Sequence, residues 1–245
     1  MGVASPPCLF YNVLMIKGFR GTSLVDYPGK ISSVIFTYTC NYRCPYCYNL
    51  DLVLPERFQN YEDIPEELII KELQRRKGFI KGVVITGGEP TLWGDRLISF
   101  IENIVLSTQL PVKLDTNASN PEVLELLIES GLIDLFAVDL KTSPERYKLV
   151  GGDFERVKKS LEMLKRIPHK VELRITCYPP LIQMEDIEKL IPYIKGFKKI
   201  ALQKFVPEET LSGEQVTPYS QEVYESFETF IQKKLPEVEV IKRYQ

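Results

Sequence analysis

The densest chemistry in the chain lies in eight residues, Cys40-Asn41-Tyr42-Arg43-Cys44-Pro45-Tyr46-Cys47, where three cysteines are spaced C-x3-C-x2-C. Three thiols this close cannot all pair with one another. They converge on one centre, as soft sulfur ligands do for an iron–sulfur cluster or for zinc. A four-iron cluster held by three cysteines keeps one iron free to take a substrate or cofactor, whereas a structural zinc wants a fourth protein ligand. The neighbourhood offers none: the only histidine, His169, stands far along the chain between Pro168 and Lys170. Three ligands with an open position is the reading carried forward, with a zinc knuckle as its alternative. Cys8 and Cys177 fit no ligand spacing, and Cys177 reads as a buried free thiol.

These thiols follow directly on Val34-Ile35-Phe36-Thr37-Tyr38, a buried-strand pattern, and the rest of the chain alternates strands with helices. A helix is expected over Asp63 to Lys77, with Ile64, Leu68 and Leu73 inward and Gly78 past its end. Strand Ile80 to Thr86 closes on Gly87-Gly88-Glu89, and Leu97, Ile98, Ile101, Ile104 and Val105 give helical spacing. After strand Val112 to Asp115, Asn120-Pro121-Glu122 opens a helix that Gly131 ends. Strand Leu135 to Leu140, a helix marked by Val157, Leu161 and Leu164, strand Val171 to Thr176, and a helix marked by Ile187, Leu190, Ile191 and Ile194 follow. Lys198 to Phe205 is the sixth strand, and Thr217-Pro218 is expected to cap a last helix burying Val223, Phe227, Phe230 and Ile231. Alternation of this kind implies right-handed crossovers and a parallel sheet. Six units are too few for a closed eight-stranded barrel. The expected fold is α/β, an open, partial (β/α)6 TIM-like barrel with parallel strands, with residues 15–245 as one domain after an N-terminal extension, 1–14.

A parallel strand covered on both faces should be almost continuously apolar. Several of these are not. Glu172, Arg174 and Thr176 share a face, as do Lys113, Asp115 and Asn117; Asp139 aligns with Lys141, and Gln203 lies near the end of the sixth strand. Buried charges are costly unless paired or ligand-bound, and several strands making the same exception implies a common polar cavity. These residues sit at the carboxyl ends of the strands, where such sheets bind ligands. The cysteine loop opens on the same end.

The C-x3-C-x2-C signature with an aromatic before its last cysteine resembles the radical S-adenosylmethionine (SAM) enzymes, and Val83-Val84-Ile85-Thr86-Gly87-Gly88-Glu89-Pro90 looks like that superfamily's GGE element. The run Gly21-Thr22-Ser23-Leu24-Val25-Asp26-Tyr27-Pro28-Gly29-Lys30 is similar to the anaerobic ribonucleoside-triphosphate reductase activating proteins, relatives of the pyruvate formate-lyase activating enzymes. The resemblance spans residues 15 to 207. It implies a radical SAM core in which Cys40, Cys44 and Cys47 hold a [4Fe-4S] cluster and act catalytically. Tyr46 would lie near the SAM adenine, and Gly87, Gly88 and Glu89 at the SAM amino group. Asp115, Thr116, Asp139 and Lys141 would surround a monovalent cation and the SAM carboxylate. Arg174 would approach SAM from a later strand, with an ion pair to Glu172 as its rival role, and Gln203 and Phe205 would line the adenine end. The implied chemistry is one-electron cleavage of SAM to methionine and a 5′-deoxyadenosyl radical, which takes a hydrogen atom from the target. The implied target is a backbone glycine of a partner glycyl-radical enzyme, with a flavodoxin- or ferredoxin-like electron donor. The alternatives are a radical SAM enzyme acting on a small molecule or nucleotide, and a zinc-stabilised binding module without turnover. Tyr48 departs from the pattern, since many close relatives carry histidine there.

Composition bounds the setting. At 245 residues, 44% hydrophobic and 26% charged, the chain suits one globular domain. A formal charge of −2 argues against a broad nucleic-acid surface. No apolar run approaches the ~20 residues that span a bilayer, and the N-terminus has no secretory pattern. Clustered cysteines without a disulfide framework fit a reducing cytoplasm.

Overall fold

In the computed structural model residues 14–243 are described, so most of the expected 1–14 extension, Cys8 included, lies outside them. The chain runs β1 (Ile16–Ser23), β2 (Ser32–Thr37), α1 (Leu50–Val53), α2 (Pro55–Phe58), α3 (Glu66–Arg76), β3 (Gly82–Gly87), α4 (Gly94–Thr108) and β4 (Val112–Thr116). It continues with α5 (Pro121–Ser130), β5 (Ile133–Asp139), α6 (Phe154–Leu164), β6 (Val171–Cys177), α7 (Met184–Ile194), β7 (Lys199–Lys204), α8 (Gln221–Lys234) and β8 (Glu239–Arg243). All eight strands form one sheet in chain order. The six expected strands are β2 to β7, all parallel; β8 adds a seventh parallel strand, and β1 lies antiparallel on β2. The two additions are edge strands. Their alternation is broken by Gly18 and Gly21 in one and by charges in the other, so neither shows the apolar run of a covered strand.

Two apolar layers follow from the alternation of side chains along each strand. Outward residues such as Ile35, Ile85, Leu114, Val138, Leu173 and Leu202 join the helices in the main core. A second, small cluster fills the inside of the curved sheet at its amino end: Tyr27, Val34 and Val84, with Phe36 and Leu135 against them. Tyr27 is its plug. Its hydroxyl donates to Asp134 at the start of β5, and Lys30 reaches the same carboxylate at 3.0 Å while lying 4.2 Å from the Tyr27 ring centroid. A Cβ on Gly82 would stand 2.8 Å from that ring, so glycine is what lets the tyrosine in.

Several local expectations shift. α3 begins at Glu66 because Pro65 has extended backbone, and it buries Ile69 and Leu73 while Leu68 faces solvent. Gly131 does close α5 in the left-handed region, φ 68°. Asn120 precedes that helix without capping it; its side chain instead donates to the Thr91 carbonyl at 2.8 Å. α8 starts at Gln221, after Ser220, rather than at Thr217-Pro218. No described helix is long and apolar enough to cross a membrane.

Candidate active site

The carboxyl ends of the parallel strands surround a cavity of about 490 Å³. Its wall brings together the three cysteines, Tyr46, the Gly87-Gly88-Glu89 turn, Asp115-Thr116, Asp139, Lys141, Arg174, Gln203 and Phe205. These come from segments more than 160 residues apart in sequence (about the span from Cys40 to Phe205) and converge because parallel strands present all their carboxyl ends on one side. Tyr48 also lines the mouth and is largely exposed. Arg20 and Asp26 extend the wall to the antiparallel edge, where Asp26 is held by the Ser23 hydroxyl at 2.5 Å.

The cysteine loop is fixed on all sides. Thr39, just before it, has φ 64°, a costly conformation for a β-branched residue, and its amide donates to the Leu52 carbonyl at 2.8 Å. The Cys40 sulfur accepts from the Tyr42 amide at 3.4 Å and from the Asn117 side-chain amide at 4.0 Å. Asn117 donates further to Asn41, and Asn41 to Ser119, tying the loop to the end of β4. Arg43 folds back on the Cys40 and Tyr42 carbonyls, and its amide donates to Val150. The segment after β7 crosses above: the amides of Leu211 and Ser212 donate to the Cys47 and Pro45 carbonyls at 2.9 and 3.0 Å. Burial pushes the Cys40 thiol up to about 12, with the Glu89 carboxylate adding to the effect, and burial raises Cys44 and Cys47 as well.

Gly87-Gly88 is dictated by a close approach of backbone to backbone. A Cβ at Gly87 would lie 2.0 Å from the Thr37 carbonyl oxygen, and one at Gly88 1.8 Å from that of Thr39. Gly87 also has φ 127°, open in practice to glycine alone. The amides of Gly88 and Glu89 donate to those two carbonyls, zipping β3 onto the entrance of the cysteine loop. The sequence offered ligand approach as the reason for these glycines; the structure supplies a second, packing against Thr37 and Thr39. Glu89, 1% exposed, accepts four hydrogen bonds, from the Thr91 amide and hydroxyl, the Thr116 hydroxyl and the Asn117 amide. Burial raises its carboxyl and these donors oppose the rise. It therefore also knits the ends of β3 and β4.

The charged residues form a chain across the floor. Lys113 donates to one oxygen of Asp115, and Arg174 Nη1 lies 2.9 Å from the other. Arg174 Nε reaches one oxygen of Asp139 at 2.6 Å, and Lys141 Nζ the other at 3.0 Å. Burial works to raise both carboxyls, but Arg174 and the two lysines outweigh it and hold them below the usual carboxylate range. Glu172 is not the partner of Arg174. It pairs with Arg243 of β8, whose guanidinium nitrogens lie 2.8 and 2.9 Å from its two oxygens. Tyr46 and Phe205 of the cavity wall are linked through Tyr178, which meets Tyr46 at a tilt and Phe205 edge-on. Cys177 is fully buried in the outer core, away from the cavity wall.

The supports that the sequence reading left out are Asn41, Arg43, Ser119 and Arg243. Their signal is weak: a short polar residue beside a cysteine, and a basic residue near the chain's end, are common. Only the folded chain shows which polar group each one serves.

A family model described as the radical SAM superfamily matches residues 34–194. Over 208 residues the chain is 36% identical to a Methanocaldococcus jannaschii protein with the provisional name glycyl-radical enzyme activating enzyme MJ1227, covering 82% of this chain and 83% of that one. It is 30% identical, also over 208 residues, to the pyruvate formate-lyase-activating enzyme of Streptococcus mutans, covering 80% and 78%. Among solved structures, QueE from Escherichia coli superposes with a TM-score of 0.56 at 15% identity, covering 94% of this chain and 93% of QueE. Streptococcus suis SuiB bound to S-adenosylmethionine gives 0.60 at 16% identity, and there the chain spans about half of the larger protein (84% and 47%). The structures share the fold, an open radical SAM barrel, and the sequences share the lineage. This chain belongs to the radical SAM superfamily and, within it, to the glycyl-radical enzyme activating enzymes.

Proposed function

We propose that the chain uses a [4Fe-4S] cluster and SAM to generate a glycyl radical on a partner enzyme, and that the partner is an anaerobic ribonucleoside-triphosphate reductase. The family implies both cofactors, and the residues present fit them. Cys40, Cys44 and Cys47 are free thiols on one wall, with no fourth sulfur or histidine beside them among the described residues of the cavity lining. Three corners held and one left open suits a cluster with an exchangeable iron better than a tetrahedral zinc. When bound, the cluster supplies the electron that splits the sulfonium of SAM into methionine and a 5′-deoxyadenosyl radical.

The protein's own residues do the positioning. The Gly87-Gly88 turn and Glu89 would face the amino group of SAM, Arg174 and Lys141 its carboxylate, and Tyr46 and Phe205 with Gln203 its adenine. The low-dielectric floor strengthens each of these contacts. The observation that carries this reading is that three thiols, a cationic floor and aromatic side chains line one cavity. A backbone glycine target would have to enter this cavity as an extended chain segment. Support for the reductase as partner comes from the Gly21–Lys30 run, whose Asp26 lies on the cavity wall. A flavodoxin- or ferredoxin-like protein is the proposed electron source, in the cytoplasm.

The test is anaerobic incubation of reconstituted protein with reductant, SAM and a candidate anaerobic ribonucleotide reductase. The expected result is 5′-deoxyadenosine together with a glycyl-radical doublet in electron paramagnetic resonance. Repeated SAM consumption on a small metabolite with no partner present would overturn the activase reading, and colourless zinc protein that makes no 5′-deoxyadenosine would overturn the chemistry.

A further inference from the structure

The family resemblance implies a free monovalent cation beside Asp115, Thr116 and Asp139. The residues around those carboxylates do not fit one. Each of their four oxygens already faces a protein cation: Lys113 and Arg174 on Asp115, Arg174 and Lys141 on Asp139. An incoming ion would have to share those oxygens with three protein cations that repel it. Arg174 and Lys141 lie on the cavity wall, but Lys113 does not; it sits beneath the floor, only 2% exposed. Displaced from Asp115, its ammonium would have no water to turn to and would strand an unpaired buried charge.

Charge balance points the same way. Asp115 and Asp139 together with the carboxylate of SAM make three anions, and Arg174 and Lys141 answer two of them. A third cation is needed to hold three carboxylates in one low-dielectric site. Lys113 stands where it would act. A buried lysine is otherwise costly: Glu172, the other anion near it, already has Arg243. We propose that the Lys113 ammonium is a built-in replacement for the monovalent cation, so that this protein binds SAM without sodium or potassium. The idea rests on the reading that this cavity holds SAM, and the measurements below separate the two.

SAM affinity is measured by equilibrium dialysis on the anaerobically reconstituted protein in potassium, sodium or choline chloride at equal ionic strength. In parallel, the melting temperature of the metal-free protein is followed in the same salts. For the wild type the dissociation constants should agree within about twofold, and the melting temperatures should not distinguish potassium or sodium from choline. Lys113→Met should bind SAM about tenfold more weakly in choline (about 1.4 kcal/mol) and recover most of that loss in potassium or sodium. A wild-type affinity that rises saturably with potassium or sodium would overturn the proposal. So would a thallium(I) ion found between Asp115 and Asp139 by anomalous scattering. If SAM fails to bind in every salt, the site assignment falls, while a potassium-specific rise in melting temperature would still count against the lysine. If Lys113→Met does not fold, the wild-type measurements decide.

Discussion

Arg174→Met is the most direct probe of the charged floor. The guanidinium makes two charge-assisted hydrogen bonds, at 2.9 Å to Asp115 and 2.6 Å to Asp139, in surroundings where all three side chains are largely hidden from water. Each such bond contributes roughly 1.5–3 kcal/mol net. Removing one member of a buried pair costs about 3–5 kcal/mol, because the remaining charge is left uncompensated. With Lys113 and Lys141 still in place, the expected loss at neutral pH is about 4 kcal/mol, or a fall of roughly 8–16 °C in melting temperature. The pH dependence makes this specific. Asp115 and Asp139 are held below the usual carboxylate range, so the stabilisation they provide is complete above the ordinary aspartate value near ~4. It is lost as the pH falls through their depressed folded-state values. Without Arg174 the two carboxyls titrate higher, and that acid-sensitive stabilisation is largely gone. The stability gap between wild type and variant should therefore be widest near pH 7 and shrink below about pH 4. Denaturant unfolding at several pH values, monitored by far-UV circular dichroism, reads it. A gap below about 1 kcal/mol, or one equally large at pH 3 and pH 7, would refute the account of the floor as a mutually neutralised chain.

Six other substitutions test other parts of the structure. Gly88→Ala puts a Cβ 1.8 Å from the Thr39 carbonyl oxygen, backbone against backbone, so β3 and the cysteine loop must part; iron–sulfur absorbance after reconstitution should be lost with the helical signal retained. Replacing Cys40, Cys44 or Cys47 singly by serine should abolish the four-iron absorbance and 5′-deoxyadenosine formation, while Cys177→Ala, buried in the outer core, should keep both. Tyr27→Phe removes the hydroxyl bonded to Asp134 at the closed end of the barrel and should cost about 1 kcal/mol, a fall of roughly 2–4 °C in melting temperature. SAM binding in that variant should be unchanged, because Tyr27 is not among the residues that line the cavity.

What could be read from the sequence was whatever repeats or costs something. Strands β2 to β7 declared themselves through apolar runs, and the polar cavity through Asp115, Asp139 and Arg174 standing where a covered strand should be apolar. The pairings among those charges could not be read, because alternation fixes which face a residue occupies and not which neighbour it meets. Glu172 was expected to compete for Arg174, yet its partner comes from β8, an edge strand with little apolar signal. Gly87-Gly88 illustrates a different limit. Glycine at a strand end marks a close approach, but the approaching atoms proved to be carbonyls of Thr37 and Thr39 as well as whatever occupies the cavity. The early start assigned to α8 followed from reading Thr217-Pro218 as a cap when Ser220 lies nearer the first buried residue, Tyr224.

The pairing of Arg243 with Glu172 gives the edge strand β8 an interior duty. The final strand carries the counter-charge for an acid sunk in the middle of the barrel, so trimming residues 239–243 would do more than fray an edge. It would leave a bare carboxylate two positions before Arg174 on the same face, tugging on the very guanidinium that holds the floor together. Any change that disturbs β8 should thus be felt at the Arg174 ion pairs of the cavity before it is felt in the fold.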